Sequence, residues 1–218
     1  RAPSVLRAPS EGEEEAEMRF ELGHAWKDEA RLAEAWRAAT PFPHLIFDDL
    51  LAAGPLSELM AVLEEEAIDH YENDIYSFDA SSPTAISEPL RRVRDAFGQT
   101  FAPPLARITG KPVSHADMRA YAYRPGHFLL PHSDHQTGVG RQLAYAYYAP
   151  SPEPPDDGAL ELYRCELEDG EVVHAESARL IEPRANRLVV FDVSDVSLHQ
   201  VREVMAGLRV SLAGWFYP

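Results

Sequence analysis

The spacing of hydrophobic positions changes near Gly110, and the change separates a predicted helical part of the chain from a predicted strand part. Before it, apolar residues recur at helical spacing over residues 24–39, 55–67 and 87–105, the second of these opening on a proline. Between the first two helices, the stretch "PFPHLIFDDLL" has two prolines at its start and predicts a buried strand after them. We therefore expect helices and one strand in this part.

After Gly110, short alternating or apolar runs are separated by Gly, Pro and Asp. They are "HADMRAYAY", "RQLAYAYYA", "GALELY", "RLIEP", "NRLVVFDV", "LHQVREV" and "LRVSLAGWFY". Their number and even spacing predict a two-sheet β-sandwich or jelly roll, with the helices packed on one outer face. The predicted fold class is thus mainly β with supporting helices.

The acidic run "EGEEEAE" sets the first part of the chain apart from the rest. Such a composition buries too little apolar surface to form a core, so we expect residues 1–23 to form an acidic flexible tail. Residues 24–218 are predicted to be a single domain, in which 24–110 supply helical support and 111–218 form the jelly-roll core.

Net charge and cysteine content narrow the classes of partner. Lys and Arg number 20 and Asp and Glu 36, a formal net charge of −16 that would repel phosphate backbones. Apolar runs are too short to span a bilayer, and the single Cys165 excludes an internal disulfide. These features predict a cytoplasmic protein without nucleic-acid or membrane partners, and they leave the oligomeric state open.

The motif His132-Ser133-Asp134 stands between an apolar run and an alternating aromatic strand. Side chains two apart on an extended segment share a face, so His132 and Asp134 could hold one metal ion, with His199 as a third ligand. Two imidazoles and one carboxylate are the donor set of non-haem Fe(II) sites. The plain alternative is a loop histidine and a surface histidine, and the same spacing at His115 and Asp117 shows how readily such pairs occur.

Arg209 follows His199 by ten residues, in "LRVSLAGWFY". Arg209, Ser211, Ala213 and Trp215 would share one face of that strand. No acidic residue lies on the strand, so a guanidinium buried in a barrel predicts a small carboxylic acid as its partner. The alternative is an ordinary ion pair with a distant Asp or Glu.

The stretch "AYRPGHFLLPHSDHQTGVGRQLAYAYYAP", followed in order by "DGALELY" and "NRLVVFDVSDVSLHQVREV", resembles the Fe(II)/2-oxoglutarate-dependent dioxygenases. Within them it is most similar to the prolyl-hydroxylase-like branch, the prolyl 4-hydroxylases. The resemblance covers about residues 117–217, with a weaker likeness at "FPHLIFDDLL". It implies a double-stranded β-helix, or jelly roll, with N-terminal helices packed on one sheet.

The resemblance implies His132, Asp134 and His199 as Fe(II) ligands and Arg209 as the clamp on the far carboxylate of 2-oxoglutarate. It also implies O2 as co-substrate, ascorbate as a supporting reductant, and succinate and CO2 as co-products of C–H hydroxylation. The protein would supply geometry and a dry pocket rather than acid-base chemistry.

Further residues are carried over from the same resemblance. Tyr123 and Tyr148 look like the phenols of the co-substrate pocket, and Leu160 like its apolar wall. Arg141 and Trp215 look like the side chains directed toward the substrate. The segment between Tyr123 and His132 is one residue shorter than in the oxygen-sensing prolyl hydroxylases, so Tyr121 could take the place of Tyr123.

Substrate choice is the part of the prediction with open alternatives. The resemblance favours a prolyl residue of a protein or peptide, and a free amino acid or small natural product is the second choice. The Pro-rich acidic insert "SPEPPDDG" departs from the branch and argues against an identical substrate. Two other classes remain open, namely a catalytically inactive jelly-roll binding module and a cupin-like metalloenzyme without 2-oxoglutarate.

Overall fold

The structure is a computed structural model and describes residues 20–218. Most of the predicted acidic tail lies outside the described residues. Phe20, near its end, is buried and contacts Phe97 and Phe101 edge-on, with ring centroids 5.6 and 5.7 Å apart. The core of the described chain therefore includes Phe20.

Helices dominate the first half of the described chain, as expected from the apolar spacing. They are a short 3-10 helix at His24–Trp26 and the α-helices α1 (Glu29–Ala38), α2 (Ala53–Glu65) and α3 (Glu88–Thr109). Asp28 and Ser87 cap α1 and α3 by accepting hydrogen bonds from backbone N–H groups. α3 continues past Pro103 and Pro104 and ends at Gly110, which takes the left-handed conformation.

Fourteen strands lie between α1 and the end of the chain. They are β1 (His44–Phe47), β2 (Ile68–Asn73), β3 (Tyr76–Ser81), β4 (His115–Ala116), β5 (Arg119–Tyr123), β6 (Phe128–His132), β7 (Leu143–Ala149), β8 (Asp156–Asp157), β9 (Leu160–Glu168), β10 (Glu171–Ile181), β11 (Arg187–Asp192), β12 (His199–Val201), β13 (Val204–Ala206) and β14 (Arg209–Tyr217).

Twelve of these strands form one antiparallel sheet that curls on itself. Its order is β1-β11-β7-β14-β5-β3-β6-β12-β9-β10, while β2 pairs with β3, β4 pairs with β14, and β13 and β8 form a separate ribbon. This curled sheet with flanking helices confirms the predicted jelly roll.

Strand β7 shows how the sheet separates two cores. All seven of its residues are buried. Tyr145 and Tyr147 pack into the cluster that contains α3, whereas Ala144, Ala146 and Tyr148 pack into the interior of the curled sheet. Because side chains alternate along a strand, one face of the sheet packs against the helices and the other face lines the interior of the curled sheet.

The hairpin formed by β2 and β3 was not predicted from the sequence. β3 pairs with both β5 and β6, which places the hairpin between two central strands of the curled sheet. Asn73 caps the connecting turn by accepting hydrogen bonds from the backbone N–H groups of Ile75 and Tyr76. Among the helices of residues 20–218, none combines the length and apolar character needed to cross a bilayer.

Candidate metal centre and its cavity

Strand pairing brings His132, Asp134 and His199 together inside the curled sheet. β6 ends at His132 and β12 begins at His199, and these two residues lie directly opposite each other in the pairing of the strands. Asp134 Oδ1 lies 3.7 Å from His132 Nε2, and its Oδ2 lies 3.5 Å from His199 Nε2. Three possible ligand atoms thus converge within 4.8 Å of one another.

Backbone carbonyls orient both imidazole rings. His132 Nδ1 lies 2.9 Å from the carbonyl oxygen of Leu130, and His199 Nδ1 lies 2.9 Å from that of Ser197. A carbonyl can only accept, so each Nδ1 carries the hydrogen and each Nε2 presents a lone pair toward Asp134. This is the tautomer that a metal-binding histidine needs.

Burial keeps His199 in the neutral form. Its loss of hydration, together with the neighbouring His132, lowers the pKa of His199 to about 4, although Asp134 and the Ser197 carbonyl act in the opposite direction. A neutral imidazole is the form that binds a metal ion.

The donor set fits Fe(II). Two imidazole nitrogens and one carboxylate on one side of an ion leave its other positions open, as non-haem Fe(II) oxygenases require. Those open positions would face a cavity of about 370 Å³. A closed structural zinc site would instead need a fourth ligand from the protein.

Arg209 lies at the cavity and is only 3% exposed. Its guanidinium carbon lies 4.7 Å from the ring centroid of Tyr123 and 5.0 Å from that of Tyr148. Within residues 20–218, Arg209 Nε and the Tyr148 hydroxyl are buried and have no hydrogen-bond partner. A buried cation without an acid partner is costly, so the Arg209 guanidinium fits the carboxylate of a bound 2-oxoglutarate.

The other residues singled out from the sequence lie around this cavity, with one exception. Leu160, Trp215 and both Tyr121 and Tyr123 line it. Tyr148 does not line it but packs against the Arg209 guanidinium. Tyr123 lies opposite Arg209 in the β5–β14 pairing, whereas Tyr121 lies opposite Ser211, so Tyr123 is the phenol beside the guanidinium.

Arg141 contacts both the Asp134 backbone and Trp215. Its guanidinium carbon stacks 3.6 Å from the ring centroid of Trp215, and its Nη1 donates to the carbonyl oxygen of Asp134 over 3.2 Å. Its Nε is buried without a partner among the described residues. One donor of this side chain is therefore left for a ligand.

The second histidine-aspartate pair, His115 and Asp117, makes structural contacts between strands. Asp117 accepts hydrogen bonds from the backbone N–H of Trp215 and from the Tyr217 hydroxyl, and its carbonyl accepts from the Tyr145 hydroxyl. Burial raises the pKa of Asp117 despite these hydrogen bonds. His115 stacks on Tyr217. The pair thus ties β4 to β14 and lies apart from the metal centre.

Sequence reasoning missed one wall of the cavity. Ile75, Tyr76 and Phe78 of the β2–β3 hairpin line it, and Phe191 packs edge-on against His199 with ring centroids 4.7 Å apart. The alternation of Tyr76, Phe78 and Ala80 after the turn at Asn73 was the signal available in the sequence.

Comparison with known proteins agrees with this geometry. The family model described as the 2OG-Fe(II) oxygenase superfamily matches residues 118–217. The chain is 31% identical over 206 residues to the mouse protein named prolyl 3-hydroxylase OGFOD1, covering 86% of this chain and 37% of the relative. The Xenopus laevis protein of the same name is 29% identical, covering 82% of this chain and 35% of the relative. The chain thus spans little more than a third of the length of these curated relatives.

Solved structures share the fold. A prolyl-4-hydroxylase from Pseudomonas putida superposes with a TM-score of 0.60 at 22% identity, covering 85% of this chain and 98% of that one. A Trichoplax adhaerens prolyl hydroxylase, bound to a peptide fragment of the hypoxia inducible factor oxygen degradation domain, gives 0.62 at 15% identity, covering 90% and 94%. Fold, ligand convergence and family match agree with one another: residues 118–217 match the 2OG-Fe(II) oxygenase superfamily, and the candidate ligands lie within this match.

Proposed function

We propose that the protein is an Fe(II)- and 2-oxoglutarate-dependent oxygenase that hydroxylates a prolyl residue of a protein or peptide. The observation that carries this proposal is the convergence of the His132, Asp134 and His199 ligand atoms beside a buried Arg209 whose Nε has no hydrogen-bond partner within residues 20–218. A binding module would gain nothing from burying a guanidinium next to three metal-ligating groups, because each is costly without a ligand.

His132, Asp134 and His199 would hold the metal ion. When bound, Fe(II) with 2-oxoglutarate and O2 supplies the oxidising power for hydroxylation, with succinate and CO2 as co-products. The chain itself fixes geometry: the carbonyls of Leu130 and Ser197 hold the two rings so that both Nε2 atoms face Asp134.

Arg209 would bind the far carboxylate of 2-oxoglutarate. The rings of Tyr123 and Tyr148 both pack against its guanidinium. Leu160 and Ala146 line the apolar side of the cavity. Burial of this pocket excludes water and strengthens the charge interaction.

Arg141 and Trp215 would position the substrate. Both lie at the cavity, and the unpartnered Nε of Arg141 can donate to a peptide carbonyl. The names of the curated relatives and of two solved neighbours support a prolyl substrate. We further propose a cytoplasmic location, which the single cysteine supports, and no nucleic-acid partner, which the net charge of −16 supports.

The first experiment measures succinate formed from 2-oxoglutarate by Fe(II)-loaded protein, with and without a prolyl peptide. We expect turnover that the peptide stimulates and that His132→Ala abolishes. His115→Ala is the matched control, because it removes the histidine of the other His-x-Asp pair and should keep activity. If His132→Ala were as active as the wild-type protein, the proposed metal centre would be rejected.

Co-substrate binding is tested separately with Mn(II)-loaded protein under conditions without turnover. We expect Arg209→Ala to weaken 2-oxoglutarate binding by at least ~10-fold, since a charge-assisted hydrogen bond contributes about 1.5–3 kcal/mol. Metal binding should be unaffected. Unchanged 2-oxoglutarate binding in this variant would favour an enzyme that does not use the co-substrate.

The substrate class is tested by offering prolyl peptides and free proline to the same enzyme. A mass increase of one oxygen on a prolyl residue of the peptide, with no product from free proline, is the expected result. Hydroxylation of the free amino acid alone would reject the peptide substrate while leaving the oxygenase class intact.

A further inference from the structure

A second group of metal-ligating side chains lies outside the cavity. His70, Asp79 and His127 each offer one ligand atom, and these atoms lie within 4.8 Å of one another. None of the three residues lines the cavity. Asp79 follows Phe78, a cavity residue, so alternation along β3 directs its carboxylate to the opposite face of the sheet.

We propose that His70, Asp79 and His127 form a second metal site that binds a divalent transition-metal ion of the zinc type. The ion would tie the β2–β3 hairpin to the turn between β5 and β6. The site is separate from the metal centre of the proposed function and does not depend on it.

His70 and Asp79, two of the three proposed ligands, contact each other and neighbouring charged side chains. His70 and Asp79 are directly opposite in the β2–β3 pairing, with His70 Nδ1 2.9 Å from Asp79 Oδ1. His70 Nε2 lies 3.7 Å from Glu72 Oε2, and Asp79 Oδ2 accepts a hydrogen bond from Arg124 Nε over 2.8 Å. Such outer contacts orient ligands in known metal sites.

The third ligand comes from a fixed turn. The His127 backbone N–H donates to the Arg124 carbonyl over 2.9 Å, and its carbonyl accepts from the Val204 N–H over 3.0 Å. The His127 and His70 ring centroids are 5.3 Å apart. Within residues 20–218, His127 Nδ1 is buried and has no hydrogen-bond partner. This nitrogen is therefore free to act as a metal ligand.

The donor types select the kind of ion. Two imidazoles and one carboxylate suit Zn²⁺, which often takes three protein ligands and one water, whereas Ca²⁺ and Mg²⁺ prefer oxygen ligands. The His70 side chain is 49% exposed, which leaves room for that water. Bonds of about 2.0–2.1 Å place tetrahedral ligand atoms roughly 3.3 Å apart, so only small side-chain movements are needed.

Zinc stoichiometry tests the proposal on the full chain. Metal-stripped protein is dialysed against Zn²⁺ and its bound zinc is measured by atomic emission. The double variant His132→Ala/His199→Ala, which lacks the first centre, should retain one zinc. Adding His70→Ala and His127→Ala to it should remove that zinc. The matched pair His115→Ala and His174→Ala, from neither cluster, should leave it in place.

The outcomes separate the two metal sites. If the His132→Ala/His199→Ala variant binds no zinc, the second site is rejected. If wild type and this variant both bind one zinc, the second site stands and the first centre has failed under these conditions. Asp79→Asn, which keeps the side-chain shape, replaces the histidine variants if these do not fold, and it too should abolish binding.

Hydrogen exchange gives a readout that a mere surface contact would not move. In the His132→Ala/His199→Ala background, Zn²⁺ should slow amide exchange across β2 and β3, because the ion ties both strands to the turn at His127. If amide exchange in β2 and β3 does not respond to Zn²⁺, the proposed metal link between the hairpin and the turn is rejected.

Discussion

At the scale of single residues, Arg141 connects the metal-binding loop to the aromatic wall of the cavity. Its stacking on Trp215 and its hydrogen bond to the Asp134 carbonyl both depend on a planar guanidinium. We predict that Arg141→Ala and Arg141→Lys both reduce peptide turnover and leave 2-oxoglutarate affinity nearly unchanged. Steady-state kinetics and direct binding measure the two effects. Loss of co-substrate binding in Arg141→Ala would show that this arginine serves the co-substrate instead.

Gly158 is a residue whose missing side chain matters. It has φ +73°, and a Cβ there would lie 3.1 Å from Arg209 Cδ and 2.8 Å from Val204 Cγ2. We predict that Gly158→Ala weakens 2-oxoglutarate binding by displacing Arg209. Gly170→Ala is the control, because Gly170 has φ +86° but no atom within 4 Å of an added Cβ. Both variants should lose about 1 kcal/mol of stability from the backbone, and only the first should lose affinity.

His44 carries a predicted dependence of stability on pH. It is 3% exposed, and burial lowers its pKa, with Arg179 adding to the effect and the Phe42 carbonyl opposing it. The folded state therefore favours neutral His44, and stability falls as the pH drops below about 6.5, where the unfolded chain gains a proton. Urea unfolding of the metal-free protein at pH 7.5 and 5.5 should show a smaller loss in His44→Leu. Equal losses would contradict the prediction.

At the scale of elements, α3 anchors the helices to the curled sheet. Phe101 on α3 is fully buried and contacts Trp26 and Phe97, and Phe97 in turn packs on Tyr145 of β7. We predict that Phe101→Ala lowers the free energy of unfolding by about 3–5 kcal/mol, the usual cost of a large cavity. Leu167→Ala, at an exposed position, should change it little. A loss below ~1 kcal/mol for Phe101→Ala would mean that the helices contribute little to stability.

The helices, most strands and the clustering of the three candidate metal ligands were predictable because each has a local signature. The His-x-Asp spacing indicates two candidate ligands, of which His132 ends β6 and Asp134 lies just beyond it, and Arg209 stands out as a cation on a strand without acids. The β2–β3 hairpin was missed because its pattern is short and its first strand is mostly exposed. Tyr148 was assigned to the co-substrate pocket by resemblance, and in the structure its ring packs against the Arg209 guanidinium without lining the cavity. Such distinctions depend on long-range pairing, which no local pattern contains.

At the scale of the whole molecule, the proposed ligands should stabilise the fold together. Mn(II) can replace Fe(II) without turnover, and a ligand at 100 times its dissociation constant adds about 2.7 kcal/mol to stability. For a domain of this size, that corresponds to a rise in Tm of roughly 5 to 10 °C. We predict that 2-oxoglutarate raises Tm only when Mn(II) is present, and that EDTA reverses the rise. Thermal scanning measures both. A rise in Tm with 2-oxoglutarate alone would mean that 2-oxoglutarate binds outside the proposed metal centre.

The pairing of His132 with His199 also has a consequence for the life of the protein in the cell. The two residues are 67 positions apart and meet only when β12 docks beside β6, and closing so long a loop precedes any gain from the contact. A chain still emerging from the ribosome has His132 and Asp134 but lacks the second imidazole. If these residues bind iron as proposed, iron would enter in a late maturation step, and cellular iron supply would act on the finished fold rather than on its synthesis.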